Sequence, residues 1–451
     1  MFPSHCLRAK DGTCHSHWTT RRGILLSSAL AAHLVLAPAG FIAPSATGQP
    51  AQFMQEAAPT EPTDSNHDEP SPDLLRRDTS ACPFRFAPPP PVDSSEVPTP
   101  GATSPAPLPV PDIPAGGTAM SECDVIEGTS FKTPEEVTAS SWIVFDVKTG
   151  DVLAAKDPHG RYRPASVIKV LLALVALEEL DLKKSVRATY EDAAIEGSRV
   201  GIVEGVEYSV ETLLTGLLLN SGNDCGHALS RMLGGMDATV EKVNAKAAQL
   251  GATDTRIFNP TGLDAPGQMT SAFDMALFFR AAFSNPTYLN LSGLQLAKIP
   301  GNKELVVDDF DIANDNQLLS SGFEGALGGK TGFTDDARHT FAGVAERNGR
   351  RLGTILLDTT VHEAPRPWEQ AAGLLESGFD TPRETSIASL DTQAKGDETP
   401  RIPFFGTDKN TDPSGPMQTE NSWPAIGIGV GIAVVVCLAA VITVAAGKRR
   451  R

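Results

Sequence analysis

Three short runs in this 451-residue chain carry residue types that can do chemistry together: Ser166-Val167-Ile168-Lys169, Ser221-Gly222-Asn223 and Gly329-Lys330-Thr331-Gly332-Phe333. A serine hydroxyl is a poor nucleophile unless a neighbouring base takes its proton. An i, i+3 spacing on a helix sets Ser166 and Lys169 on one face, within reach of each other. Lysine can act as that base only where burial or a second cation lowers its pKa. The second run offers Ser221 as a proton relay between Lys169 and a leaving amine. Asn223 would position a peptide carbonyl or Lys169 itself. In the third run Lys330 and Thr331 supply a cation and a hydroxyl for a carboxylate, and Gly332 lets a ligand lie close to the backbone. Lys330 would also be the second cation beside Lys169. Each run alone has an ordinary reading as a helix cap, a helix–helix turn or a turn before a strand. Their order and separation carry more weight: Ser221 follows Ser166 by 55 residues, and Lys330 follows Ser221 by 109.

The elements around these runs are legible from periodicity. Residues 141–147 (SWIVFDV), a Lys148-Thr149-Gly150-Asp151 turn and 152–156 (VLAAK) predict a β-hairpin. Residues 166–180 predict a helix, apolar on most faces and therefore buried. Further helical patterns run over 209–220, 223–233, 236–250 and 271–283. A second hairpin is expected from 341–347 and 350–358, because Asn348-Gly349 suits a two-residue turn with positive φ at both centres. Pro365 and Pro367 open a last helix, 368–377. Strands first, helices in the middle and strands last imply an α/β (α+β) fold: one antiparallel sheet built from both ends of the body, flanked by helices, with an all-helical cluster. The folded body is expected over 122–382 as a single catalytic domain.

Composition narrows the class. Net charge −17 leaves no broad basic surface for a phosphate backbone, so nucleic acid is a poor partner. The six cysteines show no CxxC and no Cys/His run at zinc spacing, so no structural metal is expected. Residues 1–48 read as a signal region: Arg21-Arg22, an apolar stretch 23–37, then small residues. Residues 49–121 read as a disordered lead followed by a Pro-rich arm, with twelve prolines between Pro83 and Pro114. Cys82 and Cys123 bracket that arm and would pair in an oxidising exterior, leaving Cys225 free; three unpaired thiols is the alternative. Residues 383–422 lose periodicity and read as a flexible linker. The uncharged run 425–447 is long enough for a transmembrane helix, and the basic tail 448–451 after it predicts a cytoplasmic C-terminus with the catalytic domain outside.

Ser-x-x-Lys, Ser-x-Asn and Lys-Thr-Gly in this order match the set shared by penicillin-binding proteins and class A β-lactamases, which carry Ser-Asp-Asn in the second place. Over roughly 120–382 the chain resembles the low-molecular-mass penicillin-binding proteins of the serine-type D-alanyl-D-alanine carboxypeptidase family. Phe258-Asn259-Pro260-Thr261-Gly262-Leu263-Asp264 and Gly328–Thr334 add to the likeness. The resemblance implies a β-lactamase/DD-peptidase-like fold and removal of the terminal D-alanine from the peptidoglycan stem peptide through an acyl-enzyme on Ser166. Lys169 would be the base and Ser221 the relay. Asn223, Lys330, Thr331, Gly332 and Phe333 would bind substrate, with the N–H groups of Ser166 and Phe333 as oxyanion hole. β-Lactams would be covalent inhibitors, and no cofactor is implied. Low-complexity sequence from about 384 argues against the all-β domain that some relatives carry. An arginine that helps bind the carboxylate is expected among Arg366, Arg338 and Arg351. Cys225, His227 and His339 are read as structural. Rapid β-lactam hydrolysis is not expected, since no Glu follows Asn259–Asp264 until Glu304. An endopeptidase acting on crosslinks and a tethered wall-binding sensor are the other readings.

Overall fold

The computed structural model describes residues 77–395, apart from 363 and 394. Strand β1 (Val125–Glu127) precedes the hairpin of β2 (Ser141–Asp146) and β3 (Asp151–Lys156). Asp146 shapes its turn by accepting the backbone N–H groups of Lys148 and Thr149. A 3₁₀ turn (Ala165–Ile168) then feeds α1 (Lys169–Glu179), so the expected helix starts tighter than an α-helix and the Ser166 end is a turn of its own.

The helical layer follows. Strands β4 (Ser185–Arg187) and β5 (Glu207–Ser209) pair beside α2 (Tyr190–Ala194). Next come α3 (Val210–Leu219), α4 (Asn223–Met232), α5 (Met236–Gln249), α6 (Ala272–Ser284) and α7 (Pro286–Ser292). Side chains satisfy orphan N–H groups at several starts: Thr189 caps α2, Ser209 caps α3, Ser271 caps α6 and Asn285 caps α7. A second small ladder, β6 (Leu296–Ile299) with β7 (Phe310–Ala313), precedes α8 (Gln317–Ser320).

The chain then returns to the sheet as β8 (Ala326–Thr334), β9 (Arg338–Arg347) and β10 (Arg350–Thr359). Asn348 and Gly349 both take positive φ, 50° and 74°, as the two-residue turn requires. Helix α9 (Pro367–Asp380) begins on proline, with Glu369 accepting the Arg366 N–H at 2.7 Å. The sheet order is β1-β3-β2-β10-β9-β8, antiparallel throughout. Every residue of β2 is buried because both faces are covered. Ile143 and Phe145 join the core shared with α1, α3 and α6, while Trp142 and Val144 pack into a second core with Leu374 and Leu375 of α9.

Two expected boundaries need correction. Residues 77–81, expected in the disordered lead, are ordered against the body, and the Pro-rich arm is tied to it by the disulfide expected from the sequence. Thr79 is buried with its hydroxyl donating to Cys123 O, Arg77 pairs with Asp358 at 2.6 Å, and Cys82–Cys123 form a disulfide. At the other end the body passes 382. Strand β11 (Ala388–Ser389) pairs with β3, Leu390 is buried, and Lys395 exchanges backbone hydrogen bonds with Ile113. A two-residue edge strand is too short to stand out from its polar surroundings. The expected signal region, most of the linker, the apolar run 425–447 and the basic tail lie outside the described residues. Among the described residues no helix is long and apolar enough to cross a membrane.

Candidate active site

The Ser166 turn is held in an uncommon backbone state. Ala165, just before it, has φ +46°, a region that costs a non-glycine residue of order 1–3 kcal/mol unless its surroundings enforce it. Two glycines do so. Gly262 lies so close that a Cβ there would meet Ala165 O at 2.0 Å, and one on Gly332 would meet Ser166 N at 2.8 Å. The Ser166 turn is thus gripped between the 258–264 segment and strand β8.

Lys169, the first residue of α1, is fully buried. Its Nζ donates to Thr261 O at 2.7 Å and lies 2.6 Å from Ser166 Oγ and 3.4 Å from Ser221 Oγ. Burial drives its pKa well below the ordinary lysine value, and the Lys330 charge pushes in the same direction. Asp315 and Asp224 oppose this with their negative charge. An amine in this setting can receive a proton from Ser166. Ser221 sits between α3 and α4 at φ +58°, which turns its hydroxyl toward Lys169. The carboxylate of Asp224 holds the facing loop by accepting the N–H groups of Val200, Gly201 and Ile202.

Asn223 donates from Nδ2 to Glu196 O at 2.7 Å, and its buried Oδ1 has no hydrogen-bond partner among the described residues. An unpaired buried acceptor is costly, and a ligand N–H would satisfy it. Lys330 is buried on β8. It donates to Thr331 O at 3.0 Å and lies 3.8 Å from Asp315, whose other oxygen accepts from Thr331 Oγ1 at 3.1 Å. Burial lowers the Lys330 pKa, and Asp315 counteracts that. Phe333 is more than half exposed, its ring 4.7 Å from that of His339.

A cavity of about 430 Å³ opens beside Thr331 and Gly332 and is lined also by Asp315, His339, Phe341 and Arg366. Of the three arginines considered from sequence, Arg366 is the one on this cavity. Arg351 is engaged by Glu346 and Phe283 O, and Arg338 lies 3.5 Å from Asp358. His227 ties α4 to α2 through Asp192, and Cys225 is a buried thiol whose pKa burial raises well above normal. Among the described residues no His, Cys, Asp or Glu side chains group as metal ligands.

Sequence reasoning missed two participants. Thr261 acts through its backbone carbonyl, which side-chain identity cannot reveal. Asp315 is a lone acid with no motif around it, and only the path from β7 to α8 brings it under Lys330.

Comparison with known proteins agrees with this geometry. The Peptidase S11 family, described as D-alanyl-D-alanine carboxypeptidase, matches residues 128–361. The chain is 44% identical over 274 residues to the D-alanyl-D-alanine carboxypeptidase DacB2 of Mycobacterium tuberculosis, covering 60% of this chain and 91% of that one. It is 31% identical to DacF of Bacillus subtilis, covering 48% of this chain and 57% of that protein. A crystal structure of D-alanyl-D-alanine carboxypeptidase from Mycobacterium tuberculosis superposes with a TM-score of 0.56 at 44% identity, covering 59% of this chain and all of the other.

Proposed function

Because the chain belongs to the D-alanyl-D-alanine carboxypeptidase family of serine peptidases, we propose that Ser166 attacks the carbonyl of the penultimate D-alanine in a peptidoglycan stem peptide. Lys169, whose pKa burial and the Lys330 charge lower, takes the Ser166 proton as the Oγ–carbon bond forms. The N–H groups of Ser166 and Phe333 receive the oxyanion. The carbon–nitrogen bond then breaks, and the proton passes through Lys169 and Ser221 to the departing amine of the terminal D-alanine. Water hydrolyses the Ser166 ester and regenerates the enzyme. Lys330 and Thr331 bind the terminal carboxylate, with Arg366 on the adjoining cavity wall, and Asn223 Oδ1 accepts an N–H from the substrate. A β-lactam presents the same carbonyl and carboxylate and acylates the same serine.

The observation that carries this reading is a fully buried Lys169 with its Nζ 2.6 Å from Ser166 Oγ. Its test is labelling by a fluorescent penicillin. Lys169→Ala should abolish labelling while the chain stays folded, and persistent labelling would remove Lys169 as the base. The signal-like start, the 425–447 apolar run and the Lys448–Arg451 tail support an exported enzyme on a single membrane anchor, catalytic domain outside. A chain ended at residue 424 should leave the membrane fraction with activity retained; retention on the membrane would reject the anchor.

A further inference from the structure

The Pro-rich strap between Cys82 and Cys123 has no part in the chemistry above, yet it is fastened to the catalytic body by an unusual set of side chains. Proline lacks an N–H, so such a segment mainly offers carbonyl oxygens, and guanidinium groups complement them. Buried Arg161 donates to Leu108 O at 2.7 Å, Pro109 O at 2.7 Å and Phe86 O at 3.2 Å, and Arg256 donates to Ala106 O at 2.6 Å.

One stretch of the strap, residues 89–96, lies against the site's two walls. Arg163, three residues before Ser166 and only 3% exposed, donates to Pro89 O at 2.8 Å. Its other nitrogens form a two-pronged pair with Glu96 at 2.5 and 2.8 Å. Asp336, three residues after Phe333 in the β8–β9 turn, accepts the Val92 N–H and, at 2.9 Å, the Ser95 hydroxyl. The negative charge of Asp264, two residues beyond the Gly262 that backs the Ser166 turn, adds to those of Glu96 and Asp336 in raising the pKa of the same arginine. From the other side Thr340 Oγ1 donates to Pro164 O at 2.9 Å. Strap residues thus join the chain entering the nucleophile's turn to the hairpin that carries Phe333.

We infer that Glu96 and Arg163 are positioning residues: the docked strap holds the Ser166 turn and the β8–β9 hairpin in register, so that the N–H groups of Ser166 and Phe333 converge on one oxygen. This rests on the oxyanion role given above to those two groups. Two-pronged arginine–carboxylate pairs are the geometrically specific kind, suited to fixing one chain segment against another. Misplacement by a fraction of an ångström at such a site lowers rate without loosening substrate binding.

The test compares two losses of the same chemistry in the full-length chain. Glu96→Ala removes the fork beside the site, and Glu376→Ala removes a more exposed fork that Arg347 of β9 makes to the C-terminal half of α9. On a D-Ala-D-Ala peptide, Glu96→Ala should lower kcat about tenfold with KM within twofold, and should lower the penicillin acylation constant equally. Glu96→Gln, which keeps one acceptor, should fall between; Glu376→Ala should stay within twofold of wild type. Wild-type kcat in Glu96→Ala, or equal losses in both alanine variants, would overturn the positioning role. A wild-type chain that neither releases alanine nor takes up penicillin would instead sink the underlying functional reading, and this inference with it.

Discussion

Gly262→Ala probes the grip on the nucleophile from a residue that touches no substrate in this account. Gly262 has φ +93°, so alanine there is strained by about 1–2 kcal/mol before any contact is counted. The contact is worse than the strain. A Cβ would stand 2.0 Å from Ala165 O, whereas side-chain carbons essentially never approach within 3.0 Å, so the Ala165–Ser166 backbone must shift by roughly 1 Å. A displacement of that size at a reacting group costs about 10² in rate. The assay is the second-order constant for acylation by a fluorescent penicillin, with thermal melting alongside. Gly349→Ala is the control, at φ +74° with no heavy atom within 4 Å of a Cβ. It should lower Tm by a few degrees and leave acylation unchanged. Gly262→Ala should acylate about a hundredfold more slowly while folded. A folded Gly262→Ala chain that acylates within threefold of wild type would refute the idea that this glycine sets the serine's position.

Further outcomes follow from other parts of the fold. Lys330→Ala or Thr331→Ala should raise KM at least tenfold for a peptide ending in a free carboxylate and far less for its amide; equal effects on both would remove the carboxylate role. Burial pushes Asp157 up to about 6 from 3.8, so the native state binds more protons and this group's contribution is lost as pH rises from about 4 through 6. Asp157→Asn should therefore gain up to about 3 kcal/mol relative to wild type on going from pH 4 to pH 8, measured by urea unfolding; a pH-independent difference would contradict the shift. Residues 99–104 form an exposed tip of the strap, so limited proteolysis should nick there first. The two pieces should stay joined on a non-reducing gel through Cys82–Cys123 and separate with reductant; separation under both conditions would argue against the bridge.

The hairpins and long helices were legible because their signals are local. Short apolar runs on either side of the Lys148–Asp151 turn mark β2 and β3, Asn348-Gly349 marks the late turn, and α3 to α6 begin within a residue or so of their expected starts. The three motifs were legible because short-range geometry places Ser166 by Lys169, and spacing along the chain singles out the rest. What escaped depends on distant chain. Nothing about Ala165 announces a positive φ, since Gly262 and Gly332 impose it from 97 and 167 residues away. The bond from Asn223 Nδ2 to Glu196 O was not legible either, because Glu196 lies on a loop without periodicity. For the strap, Cys82 and Cys123 announced the bridge, but the arginines that hold its carbonyls lie in the body and not in the strap.

The central claim is that Ser166 carries the acyl group from a D-Ala-D-Ala terminus. Full-length wild type and Ser166→Ala would be incubated with a synthetic stem peptide ending in D-Ala-D-Ala, and the loss of one alanine followed by mass spectrometry. One alanine should be lost with wild type and none with Ser166→Ala. Equal loss with both proteins would contradict the nucleophile, and no loss with wild type that penicillin still labels would contradict the carboxypeptidase and point to crosslinked substrates.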